Sequence, residues 1–115
     1  MVGDQDTQDE IDDVLDVITE FYGVRLIDLL SRRQSPNLYK ARCMGMYLAW
    51  KAGAHPLEIG RRFGGRDELI VGAMCRSTAR RAVFNTRERG LIRDLERKRI
   101  EASRKRDLPA ALRLH

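Results

Sequence analysis

Proline and glycine punctuation constrains this chain more than any other feature. Ser35-Pro36 and His55-Pro56 each place a proline where a helix begins. Its fixed φ suits the first turn, and its missing N–H is a donor that the helix would leave unpaired anyway. Ser35 adds an oxygen able to accept from the orphan amides. Gly64-Gly65 then stops whatever starts at Pro56, since two residues without Cβ atoms weaken a helix and admit a tight turn. These marks predict a helix from about Pro36 to Lys51, a short one from about Pro56 to Phe63, and a longer one that begins near Arg66 or Asp67 and runs past Arg80. A short helix, a glycine turn and a longer helix make a helix-turn-helix, whose second helix is the one that enters the major groove in DNA readers.

The flanking stretches keep the helical pattern. T-Q-D-E (Thr7 to Glu10) is a capping box in which Thr7 caps a first helix and Glu10 reaches back to it. Ile11, Val14, Leu15, Ile18 and Tyr22 follow at helical spacing, which turns the acids to the other face, and Gly23 is a C-cap. A second helix fits Arg25 to Leu30. In the third, Leu38, Ala41, Met44, Tyr47 and Leu48 supply a core face, and Trp50 closes one end; in the fourth, Leu57, Ile59 and Phe63 turn inward. From Asn85 a charged stretch with a weak stripe of Leu91, Ile92, Leu95 and Ile100 predicts a helix to about Arg104, followed by a tail. With aromatics at 6% and no alternating strands, the fold class is all-α, a helical bundle with a helix-turn-helix. A chain of 115 residues has room for one modest core. The expected organisation is a flexible N-terminus over 1–6, a helix-turn-helix domain over 7–84, and a basic helical extension and tail over 85–115.

Charge is segregated along the chain. Residues 1–24 carry eight acids and no Lys or Arg, whereas residues 25–115 hold all 22 Lys and Arg against nine acids. A polyanion-binding surface therefore belongs beyond residue 24. In the stretch from Arg87 to Arg106, Glu88, Asp94, Glu96 and Glu101 interleave the cations at spacings that permit i,i+4 pairs, which favours a solvated helix face over a nucleic-acid contact there. The N-terminus lacks the cationic and apolar regions of a secretory signal, and no apolar run approaches the roughly 18 residues of a membrane span. A cytoplasmic, nucleoid-associated protein is expected. Cys43 and Cys75 lie far apart without a CxxC or a His partner and read as reduced core residues. His55 and His115 are the only histidines, and no catalytic constellation, metal site or cofactor site is suggested.

"DLLS" (Asp28 to Ser31), "RCMGMYLA" (Arg42 to Ala49), "EIGRRFGGRD" (Glu58 to Asp67) and Val71 stand in a diagnostic order and spacing. The chain resembles the C-terminal DNA-binding domain (domain IV) of the bacterial chromosomal replication initiator DnaA over about residues 8–84. The resemblance implies a helix-turn-helix related to that of the Trp repressor, binding short boxes at the replication origin through its recognition helix and an arginine in the adjacent minor groove. Where the family usually runs G-G-R-D-H-T-T-V, this chain has Glu68, Leu69 and Ile70 in place of the His and two Thr. Gln34 stands where many members carry a further arginine, and the loop before His55 is one residue shorter than usual. No G-x-x-x-x-G-K-[ST] phosphate loop occurs, so a stand-alone reader without the ATPase module is expected.

The candidate DNA-binding residues are Arg32, Arg33, Gln34, Lys40, Arg42, Arg66, Asp67, Glu68 and Leu69. Arg32 and Arg33, just before a helix, with Lys40 and Arg42 on the third helix, are phosphate contacts or ordinary surface charges. Arg66 either touches a phosphate or braces the turn by pairing with an acid such as Glu58. Asp67 suits a helix N-cap and can also accept from a cytosine amino group; the two roles are compatible. Glu68 can accept from cytosine but replaces donors with an acceptor beside phosphates. Leu69 and Ile70 can meet a thymine methyl, or Ile70 can be core, and a solvent-facing Leu69 would also suit a protein partner. Two functions follow: a protein that binds duplex DNA in replication initiation or its regulation, or an interaction module on the same fold that binds the initiator or the ATPase-type regulator that inactivates it. A transcription factor on the same fold is a third. Neither a membrane nor a small-molecule substrate is expected as a partner.

Overall fold

Nine consecutive residues, Ala41 to Ala49, are buried. A helix buried on every side has to sit at the centre of its domain, and the other helices of this fold are arranged around this one. The computed structural model describes residues 4–108, with side chains from Thr7 onward. In chain order the helices are α1 (Asp4–Tyr22), α2 (Leu26–Leu29), α3 (Pro36–Lys51), α4 (Pro56–Arg62), α5 (Glu68–Phe84) and α6 (Thr86–Asp107). All of the described secondary structure is helical. The buried helix is α3, and it packs against each of the other five.

The proline marks are where the sequence places them. Ser35 is extended and its side chain accepts from the Leu38 amide, with Pro36 in the first turn of α3. His55 does the same for α4 through Nδ1, 3.1 Å from the Leu57 amide. Gly23 takes a left-handed φ of 64° after α1. Thr7, in contrast, is no cap. The helix begins three residues earlier, at Asp4. Of the expected flexible segment 1–6, residues 4–6 are thus part of α1, and residues 1–3 lie outside the described residues.

The expected boundary between domain and extension at residue 84 falls at the joint between α5 and α6. Asn85 alone joins α5 to α6, its side chain accepting from the Glu88 amide. From there α6 packs on α1, α3 and α5. Ile92 and Leu95 are buried in the common core, and Leu91 packs against it. Charge reinforces the packing: Arg106 donates to Asp13, which is only 6% exposed, and lies 3.9 Å from Asp9. Elsewhere Arg62 of α4 pairs with Asp12, and Lys51 with Glu96 at 3.3 Å. Part of the acidic face of α1, Asp9, Asp12 and Asp13, therefore neutralises cations from α4 and α6, while Asp16 and Glu20 remain exposed. The helix of the extension reaches Asp107, and the tail over 109–115 lies outside the described residues. Among the described residues no helix is long and apolar enough to cross a membrane.

Candidate nucleic-acid interface

The turn between α4 and α5 is fixed by close backbone approaches. Gly64 and Gly65 have φ of 86° and 77°, a region that side chains with a Cβ rarely enter. A Cβ on Gly64 would also lie 2.0 Å from the Leu30 carbonyl oxygen, so only glycine lets this turn rest on the end of α2. Gly60 is needed in the same way, since a Cβ there would lie 2.1 Å from the Arg66 carbonyl oxygen. Its own carbonyl accepts from the amides of Gly65 and Arg66, at 2.9 and 2.8 Å. Phe63, fully buried, packs over Gly45 of α3 and anchors the turn in the core.

Two arginines reinforce this joint from inside. Arg42, 5% exposed, donates to the carbonyls of Leu29 (2.9 Å), Asp28 (2.8 Å) and Ser31 (3.1 Å). Buried and bonded to these carbonyls, it braces the joint at the wall of the cleft and is not the exposed side chain that both of its expected roles assumed. The four-residue α2 leaves its last carbonyls without helical partners, and a buried guanidinium satisfies them. Arg66 donates to the carbonyls of Phe63 and, at 2.8 Å, Ser31. It braces the turn, as one of its two expected roles has it, but on carbonyls and not on Glu58. That acid instead accepts from Gln8 Nε2 at 2.9 Å. Desolvation, followed by the nearby charges of Arg42 and Arg32, pushes the Arg66 guanidinium below its ordinary pKa.

The braced turn sets the first residues of α5 beside the segment that links α2 to α3. Between them lies an open cleft of about 780 Å³. Pro36, Tyr39, Ile70 and Met74 give it apolar walls, and Arg32, Gln34 and Asp67 border it. Asp67 is the N-cap of α5, its Oδ1 accepting from the amides of Leu69 (2.8 Å) and Ile70 (3.3 Å). Glu68 leans toward α4, with Oε2 3.7 Å from Nδ1 of His55. Leu69 is 79% exposed and Ile70 57%, so Ile70 is a surface residue and not core.

The remaining candidates divide. Arg32 is exposed and makes a 3.3 Å contact with the Gly65 carbonyl, which places it against the turn. Arg33 is exposed but paired with Asp28 at 3.1 Å. Gln34 is exposed at the cleft. Lys40 is exposed away from it, near Tyr22, Arg81 and Glu88. Missed by the sequence reading are Tyr39, which walls the cleft, and Arg76 and Arg80, which continue the exposed face of α5 beyond Leu69 and Ala73. The signal for the two arginines was present, because positions 69, 73, 76 and 80 follow helical spacing.

A family model described as bacterial DnaA protein helix-turn-helix matches residues 11–77. The chain belongs to this family. Over 62 residues it is 47% identical to the chromosomal replication initiator protein DnaA of Xanthobacter autotrophicus (strain ATCC BAA-1158 / Py2), a match that covers 53% of this chain and 12% of that relative. The chain thus corresponds to a small part of the relative's length. In this DnaA helix-turn-helix protein the family match ends inside α5, so α6 and its contribution to the core lie beyond it.

Proposed function

We propose that this DnaA-family helix-turn-helix protein binds duplex DNA, in initiation of chromosomal replication or its regulation, within the bacterial cytoplasm and without catalysis of its own. The observation that carries the reading is the exposed first turn of α5, held by the Gly64-Gly65 turn beside the exposed guanidinium of Arg32. A recognition helix needs its N-terminal residues free to reach base edges, and an adjacent cation supplies a sequence-independent phosphate contact. Arg76 and Arg80 extend this basic character along α5.

A titration against two labelled duplexes, one carrying initiator boxes and one scrambled, at two salt concentrations tests it. Both duplexes are expected to bind, with affinity falling steeply as salt rises. The box duplex is expected to hold less than about a hundredfold advantage, since Glu68, Leu69 and Ile70 offer no side-chain donor. Failure of both duplexes to bind would instead support a second reading, in which the exposed Leu69 and Ile70 engage the initiator or its ATPase-type inactivator.

A further inference from the structure

The first turn of the recognition helix has an unusual chemical content for a DNA reader. Asp67, Glu68, Leu69 and Ile70 present two carboxylates and two hydrocarbon groups, and an ionised carboxylate only accepts hydrogen bonds. The amides of Leu69 and Ile70 are already taken by Oδ1 of Asp67. Along the exposed face from Leu69 the next side chain is Ala73, and the first with a donor is Arg76, about two turns on.

The major groove answers such a surface unequally. Guanine displays only acceptors there, N7 and O6, which side chains without donors cannot pair. Thymine displays a 5-methyl group, which is apolar and needs no donor. Leu69 and Ile70 are adjacent and both largely in water, so contact with a methyl removes apolar surface on both partners. Glu68, its side chain 45% exposed, has Oε2 3.7 Å from Nδ1 of His55, a nitrogen that already accepts from the Leu57 amide, so it adds a second acceptor and no donor to the turn.

We propose that Leu69 and Ile70 select thymine through its 5-methyl group, and that a turn without side-chain donors disfavours guanine at the positions it meets. This inference rests on the DNA-binding reading above. It makes Leu69 and Ile70 specificity-determining residues and gives this protein a site that differs from one read by donor side chains at the same positions.

Selection of binding sequences by the 115-residue chain from a pool of random-sequence duplexes comes first. The enriched duplex is then remade with deoxyuridine for each thymidine in turn, which deletes the methyl and nothing else. At one or two positions uracil is expected to weaken binding about fourfold per methyl. Leu69→Ala is expected to narrow the difference between the thymine and uracil forms at one or more of these positions, and Leu69→Ala with Ile70→Ala to narrow it further, with the helical content and melting temperature of the parent protein. Equal binding of both forms by the parent protein at every position overturns the methyl reading while DNA binding stands. So does a guanine preference that Leu69→Ala relaxes, or a pool retained without enrichment of any sequence. Retention of no duplex at all overturns the DNA-binding reading itself.

Discussion

Arg33 and Cys75 show how a single side chain's neighbours decide what it can do. Arg33 is exposed, but Asp28 holds it, and the same carboxylate takes Arg25 at 3.0 Å. The hydrogen bond from Arg25, followed by the charges of Arg25 and Arg33, keeps the Asp28 carboxyl below its ordinary pKa, so the acid stays charged and the arginine stays occupied. Asp28→Asn should release Arg33 to phosphate: duplex affinity rises for every sequence, and the slope of log affinity against log salt steepens by about one, as measured in a salt titration. Cys75 is fully buried, and burial, with Cys43 adding to it, pushes its thiol up to about 11 from 9.0. Between these values the folded chain keeps a proton that the unfolded chain has released, so stability falls as pH rises across that window. The decline should be on the order of 2 kcal/mol. Urea unfolding at pH 8 and pH 10 should show a smaller drop for Cys75→Ala than for the parent protein.

Among the elements, those whose ends are set by local chemistry were legible in the sequence. Pro36, Pro56 and the Gly64-Gly65 pair mark boundaries because a missing donor or a missing Cβ acts within a few residues of itself. Thr7 misled because a capping box is also local, whereas the helix starts at Asp4 and its first turns are tied to α4 through Gln8, which donates to Glu58 and accepts from Arg62. Arg42 could not be read at all, since its role depends on carbonyls of α2 that only the fold brings to it. The candidate site was legible in the same measure: Asp67 as a cap and Arg66 as a brace follow from the turn, whereas Arg33's partner and Lys40's distance from the cleft require the tertiary arrangement. The glycines offer a paired test. Gly64→Ala forces a left-handed φ on alanine and a clash with Leu30, and should cost roughly 3 kcal/mol or more. Gly90→Ala, in the interior of α6 with no atom within 4 Å of the new Cβ, should stabilise by about 0.5–1 kcal/mol. Denaturant unfolding of both variants measures each sign.

For the whole molecule, α6 is the element whose tertiary partners the sequence left open, although its helix and its stripe were legible. Its apolar stripe is weak on its own, and its cover comes from α1, nearly a chain length away; Arg106 and Asp13 meet across 93 residues. A chain ending at Phe84 loses the burial of Ile92 and Leu95 and leaves Asp13 without its arginine. Its stability should drop on the order of 5 kcal/mol, a large share of what a domain of this size holds, with a broadened urea transition. The Ser31 carbonyl has a consequence of another kind. It receives Arg66 from the turn and Arg42 from α3, while Arg32 reaches back to Gly65. The loop that carries Arg32 and the tip of α5 are therefore the two jaws of a caliper locked at one gap. Jaws that do not open accept only a duplex already shaped to their span. For a protein that binds DNA as proposed, groove width and ease of bending are then gauged before any base edge is touched.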